Sequence, residues 1–206
     1  MPLIRRGPPE DSKAVPTEPL ARLRTGDAEE RWAAARALAG HEEAVDALAQ
    51  ALHAEGDRGV REAIFTSLAQ TAGPASARAI VRCLRSDDAA LRTAALDTLR
   101  VMPAALANYL PGLLADADAD VRVLACDLAR HLPAEISTPM LNARLGHEPE
   151  PNVCAAAVDV LAEQGDSESL AALDACGARF AGSAFLSFAI QVARQRIGAK
   201  ASEPRG

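Results

Sequence analysis

Apolar and small residues recur along most of this chain at helical spacing. Counted from Arg61, Arg92 or Cys154, they fall one residue before and three, four and seven after: Val60, Ile64, Phe65, Leu68; Leu91, Ala95, Leu96, Leu99; Val153, Ala157, Val158, Leu161. A stripe of this kind covers one face of a helix. Each stripe runs to a Gly or Pro, at Gly40, Gly73, Pro103, Pro133 and Gly165, and a second amphipathic stretch of ten to twelve residues follows. The pattern predicts helix hairpins. The first (A) helices lie near 28–39, 58–71, 88–101, 119–131 and 151–164, and the second (B) helices near 42–54, 75–85, 104–115, 135–145 and 167–179. A final helix near 183–197, with Phe185, Leu186, Phe188, Ile190 and Val192, has no partner after it.

The hairpins carry a repeated opening: Asp57-Arg58-Gly59-Val60-Arg61, Asp88-Ala89-Ala90-Leu91-Arg92 and Asp118-Ala119-Asp120-Val121-Arg122, with a period of 30 to 31 residues. An earlier copy is Asp27-Ala28-Glu29-Glu30-Arg31. A weaker one follows at Glu150-Pro151-Asn152-Val153-Cys154, with Cys in place of Arg and prolines at 149 and 151, where the stack is expected to bend. A hairpin this short cannot bury its own apolar face, so the copies must stack, and the expected architecture is an all-α, right-handed α-solenoid of about five hairpins plus a C-terminal helix. Small residues three after the Arg position (Ala34, Ala95, Ala125, Ala157) let helices approach closely. The aspartates are expected to cap helices. Each Arg four residues on can reach its own Asp or that of an adjacent copy, giving a structural ladder of Asp27, Arg31, Asp57, Arg61, Asp88, Arg92, Asp118 and Arg122.

Asp-x-x-Val-Arg opening an Ala/Leu-rich hairpin of about 30 residues resembles the HEAT family, and more narrowly the short HEAT-like repeats of the phycobilin-lyase type. The resemblance covers residues 20 to 197 and implies a solenoid whose members serve mostly as scaffolds and adaptors, with a minority of enzymes. On either side, residues 1–19 and 198–206 read as flexible tails, the first Pro-rich, with Glu18 to Arg24 as a half-helix closing the first copy.

Composition sharpens this picture. Ala is about a quarter of the chain and Leu about an eighth, aromatic residues only 3%, which favours helices and argues against a sandwich or barrel. A net charge of −6 disfavours nucleic acid as a partner. No apolar run approaches a membrane span, nor does the start resemble an export signal, so a cytoplasmic protein is expected. Cys83, Cys126, Cys154 and Cys176 lie far apart in apolar surroundings and read as buried free thiols.

No nucleophile elbow, phosphate loop, dinucleotide fingerprint or zinc-protease motif occurs. His41-Glu42 and His147-Glu148 echo the iron-binding pairs of HEAT-like hydroxylases, but they fall at non-matching positions, so neither a metal nor another cofactor is expected. The remaining candidates are surface rows on the B helices, which line the inner face of HEAT-type solenoids. They comprise Arg78, Arg82 and Arg85 at i, i+4 and i+7, then Asn108, Tyr109, Asn142 and Arg144. On the A helices, Asp97, Asp127 and Asp159 form an acidic row that Arg100 and Arg130 can compensate. Trp32 stands where other copies have Glu62, Thr93, Val123 and Ala155, and serves either to pack a cap or to anchor a partner. Together these readings predict a non-enzymatic scaffold that holds one or more proteins on its inner face. The alternative is a bilin lyase-like or other HEAT-like enzyme subunit acting with a partner chain.

Overall fold

The computed structural model describes residues 16–202. Of the expected tails at 1–19 and 198–206, residues 1–15 and 203–206 lie outside the described residues. Those residues form two compact units, one through Ala79 and one from Ile80.

The first unit contains α1 (Thr17–Thr25), α2 (Ala28–Ala37), α3 (Val45–Ala54), led in by a 3-10 turn at Glu42–Ala44, and α4 (Arg58–Thr71). Next, α5 (Pro74–Cys83) spans the division. The second unit contains α6 (Ala89–Arg100), α7 (Pro103–Leu114), α8 (Ala119–Ala129), α9 (Ala134–Leu145), α10 (Pro151–Gln164), α11 (Ser169–Arg179) and α12 (Ala184–Ser202). No strand occurs among the described residues, and each unit is a stretch of α-solenoid built from helix hairpins.

Helix starts follow from local chemistry. Asp27, Asp57, Asp88 and Asp118 each occupy an N-cap and accept backbone N–H groups of the following turn, from Glu30, Val60, Ala90 with Leu91, and Asp120. At α2, Glu30 reaches back to the Asp27 N–H and completes a capping box. Helix ends are less uniform. Gly40 takes a left-handed backbone (φ 80), but at the next hairpin the left-handed residue is Ala72 (φ 53), one before Gly73, a conformation that costs an L-residue about 1 kcal/mol. Pro103 is the first residue of α7 and Pro133 the N-cap of α9, so these prolines start helices rather than stop them.

In the first unit α2 packs against α4, with α1 on α2 and α3 on α4, around fully buried Leu38, Leu48, Ile64 and Leu68. In the second, α8 packs between α6 and α10, and α12 follows on α10, while α9 neighbours both α7 and α11. Ala34, Ala95, Ala125 and Ala157 are all buried, as the close-packing argument requires. Phe65 is in the core, but Phe185 and Phe188 of the last helix are 68% and 67% exposed.

That last helix is a further A helix. Ser183 accepts the Leu186 N–H at 3.3 Å, the bond Asp57 makes to Val60, which places Ser187 at the Arg position. It runs to Ser202, beyond the expected end at 197, while α1 begins at Thr17, inside the expected tail.

Candidate functional site

The repeat openings build a recurring corner. Two residues before the N-cap stand Glu55, Ser86, Asp116 and Glu148, and each side chain accepts the N–H of the residue two on: Asp57 (2.8 Å), Asp88 (3.2 Å), Asp118 (3.0 Å) and Glu150 (2.9 Å). The carbonyl of the same residue accepts from the side chain six positions on: Arg61 (2.6 Å), Arg92 (2.6 Å), Arg122 (2.9 Å) and the Cys154 thiol (3.6 Å). Arg31, in the first copy, donates to the Gly26 carbonyl.

The arginines also link successive corners. Arg31 forks onto both oxygens of Glu55 (2.7 and 2.9 Å), and Arg122 onto both of Glu148 (3.0 and 2.9 Å). Their carboxylate partner is therefore the loop residue after the hairpin's own B helix, 24 or 26 residues on. Arg144 joins Arg122 on Glu148, whose side chain is 0% exposed. Burial pushes the Glu148 carboxyl up, but bonds from Arg122, the Glu150 N–H and Arg144 outweigh it and hold the group below the ordinary carboxylate range. At Glu55 the bond from Arg31 is the dominant cause, with the same result.

On the A helices of the second unit, Arg100 bonds Asp97 and Asp127 (both 2.7 Å), and Arg130 bonds Asp159 (2.6 Å) and Glu163. The acidic row is thus compensated along α6, α8 and α10. The B helices present a different surface. Their exposed stripes are Ala104, Asn108, Pro111 and Gly112 on α7, Glu135, Ile136, Pro139 and Ala143 on α9, and Ala171, Ala175 and Ala178 on α11. Nearby charges are largely used: Asp174 pairs with Arg194 (2.7 Å), and Arg179 donates to the Leu145 and Gly146 carbonyls. Pro111 and Pro139 lie inside their helices and lack an N–H, leaving the carbonyls of Ala107 and Glu135 without the usual helical donor.

Of the sequence candidates, Arg78 and Arg82 are exposed on α5 and Asn108 on α7. Arg85 lies past the end of α5 and pairs with Asp116. Arg144 is committed to Glu148, and Tyr109 and Asn142 are half-buried, the latter with a buried Oδ1 that accepts no hydrogen bond from the described residues. Trp32 is 43% exposed, with the Arg36 guanidinium 5.0 Å from its ring centre. His41 precedes the 3-10 turn and His147 is exposed, and no group of three or more His, Cys, Asp or Glu among the described residues is arranged to hold a metal.

All four cysteines are buried. Burial pushes the thiols of Cys126 and Cys176 up to about 12 and that of Cys83 to about 11. Among the described residues no helix is long and apolar enough to cross a membrane.

Sequence reasoning missed the residues two before each N-cap. It also missed Arg24 and Gln50, which line a cleft of about 570 Å³ in the first unit with Leu23, Arg31, Ala47, Ala51 and the Glu55–Asp57 loop. The visible signal for the first set was a carboxylate or hydroxyl recurring at the repeat period.

No curated protein matches the chain. Among solved structures, the complex of CpcE and CpcF of phycocyanin lyase from Nostoc sp. PCC7120 is similar at 19% identity, covering 100% of this chain and 95% of that one, with a TM-score of 0.42. A designed armadillo repeat protein is similar at 15% identity, covering 87% and 98%, with a TM-score of 0.41. An engineered protein is similar at 18% identity, covering 88% and 96%, with a TM-score of 0.41. The family model described as HEAT repeats matches residues 17–100, and the same capped, arginine-tied corners continue beyond that span at Asp116 and Glu148.

Proposed function

We propose that the protein is a non-enzymatic scaffold that holds a partner protein on its B-helix face. The observation that carries this reading is the contrast between the two faces of the second unit. The A-helix side is a lattice of mutually satisfied charges, whereas α7, α9 and α11 expose stripes made mostly of Ala, Pro, Gly and Ile, interrupted by Asn108 and Glu135. A surface made mostly of small and apolar groups is cheap to desolvate and suits a protein partner better than a polar solute. The carbonyls freed by Pro111 and Pro139 add acceptors for donors on that partner.

The test is affinity capture from the protein's own cell extract, with paired variants. Ala143→Arg with Ala175→Arg places two long cations on exposed B-helix positions, and capture is expected to fail while the thermal midpoint stays unchanged. Asp97→Asn with Asp159→Asn, on the A-helix side, is expected to retain the partner. Retention after the B-face change, or colour acquired on co-production with a bilin, would displace this reading in favour of another face or of a lyase-like subunit.

A further inference from the structure

Two thiols meet where the fifth copy departs from the repeat. Cys154 stands at the Arg position of α10, and Cys176 lies on α11 of the same hairpin. The Cys176 S–H donates to the Cys154 sulfur, and the Cys154 thiol donates in turn to the Glu148 carbonyl at 3.6 Å. Arg179, on the turn of α11 after Cys176, brings Nη2 to 4.0 Å from the Cys154 sulfur. Cys126 is turned elsewhere, its thiol towards the Val153 carbonyl at 4.0 Å. Both members of the pair are fully buried, but Arg179 is exposed, so a single side chain runs from solvent to the Cys154 sulfur.

The pair is polarised. Burial pushes the Cys154 thiol up, while Arg179 and the S–H of Cys176 pull it back; at Cys176, burial and Cys154 push in the same direction. When one sulfur ionises it is therefore Cys154, and Cys176 keeps its proton.

We propose that Cys154 and Cys176 are a redox pair that closes to a disulfide across the α10–α11 hairpin on meeting a small-molecule disulfide. Arg179 swings aside, and the Cys154 thiolate attacks one sulfur of the oxidant. A mixed disulfide forms, and the other half leaves as a thiolate that takes up the proton Cys154 lost. Cys176 then attacks the Cys154 sulfur, and its proton passes to the second departing thiolate. One small disulfide is thereby reduced to two thiols, and two protein thiols are oxidised to one disulfide. The closed pair has no S–H, so the Glu148 carbonyl loses its donor and the turn before α10 loosens. The thiol state of the hairpin is thus read out at the irregular corner.

The experiment treats the folded full chain with oxidised glutathione, quenches with acid, blocks the remaining thiols with N-ethylmaleimide in denaturant and maps them by mass spectrometry after trypsin. No Lys or Arg lies between Arg144 and Arg179, so Cys154 and Cys176 share the peptide from Leu145 to Arg179. Cys126 falls in Val123 to Arg130, and Cys83 in Cys83 to Arg85. The expected product is the shared peptide lighter by two hydrogens and free of maleimide, with Cys83 and Cys126 fully blocked. Cys176→Ser is expected to stop at the glutathione adduct of Cys154. An unoxidised shared peptide, a cross-link joining the Cys126 and Cys154 peptides, or parallel loss of all four thiols, as oxidation through the unfolded chain gives, would overturn the proposal. Amide hydrogen exchange at Glu148 and Glu150 is expected to quicken on oxidation, and unchanged exchange at both would overturn the coupling to the corner.

Discussion

Glu55 and Glu148 occupy the same place in the repeat and are satisfied differently. At Glu55 one guanidinium, itself 26% exposed, neutralises one carboxylate, and the carbonyl is taken by Arg61. At Glu148 two guanidiniums converge on a fully buried carboxylate, and the carbonyl is taken by a neutral thiol. Cys154, which breaks the sequence motif, thus preserves its geometry. With Arg122 and Arg144 on Glu148 and Arg179 against Cys154, an arginine at 154 would add a further cation to a corner already supplied with them. The lesson is that a repeat holds its hydrogen bonds constant and redistributes charge around them, at a depth where unbalanced charge is expensive.

The comparison is broken most directly at the carboxylates. Glu148→Gln leaves two guanidiniums unneutralised in the interior and is expected to cost about 3 to 5 kcal/mol. Glu55→Gln, where the carboxylate is buried but its one guanidinium is 26% exposed, is expected to cost less. Urea unfolding of the two variants measures both, and equal losses would show that the extra burial at Glu148 carries no energetic weight.

Packing supplies the control. Leu68 and Leu99 occupy the same stripe position, one in each unit, and both are fully buried. Each change to Ala should cost about 2 to 5 kcal/mol. Similar values assign the difference between corners to charge; a loss under about 1 kcal/mol at either site would contradict the packing register.

A sharper probe is Cys154. Cys154→Arg is expected to cost about 1 to 3 kcal/mol through overpacking and the added cation, whereas Cys154→Ser, which keeps a donor for the Glu148 carbonyl, should cost less. A neutral or stabilising Cys154→Arg would refute the charge argument.

The smallest effect is on acid stability. Both carboxyls sit below their ordinary range in the folded protein and return to about 4.3 on unfolding. Their stabilisation is therefore complete above that value and disappears as pH falls through the folded values. Unfolding midpoints measured from pH 7 down to 3 should fall less steeply in Glu148→Gln and in Glu55→Gln than in the parent. An unaltered slope in both would remove these groups from the acid transition.

The fold was legible because its determinants are short-range. A cap is closed within three residues, and a stripe repeats every three or four, so helix starts at Asp27, Asp57, Asp88 and Asp118 could be read directly. The partner of each arginine was not legible, because Glu55 and Glu148 come into reach only when hairpins close 24 to 26 residues later. Arg85 shows another limit. Its i+7 spacing from Arg78 assumes a helix that continues, but α5 ends at Cys83 and the side chain turns to Asp116. Likewise Gly73 was the visible stop, while the backbone reversal is borne by Ala72, a residue with no sequence signature for it.

The exception at position 154 also bears on how the chain finds its register. An array of interchangeable corners admits slipped assemblies in which each hairpin docks one place away from its own neighbour. The copy that joins a buried Glu148 to a neutral thiol differs from the others in both its carboxylate's burial and its donor, so it is the corner a slipped neighbour would not reproduce.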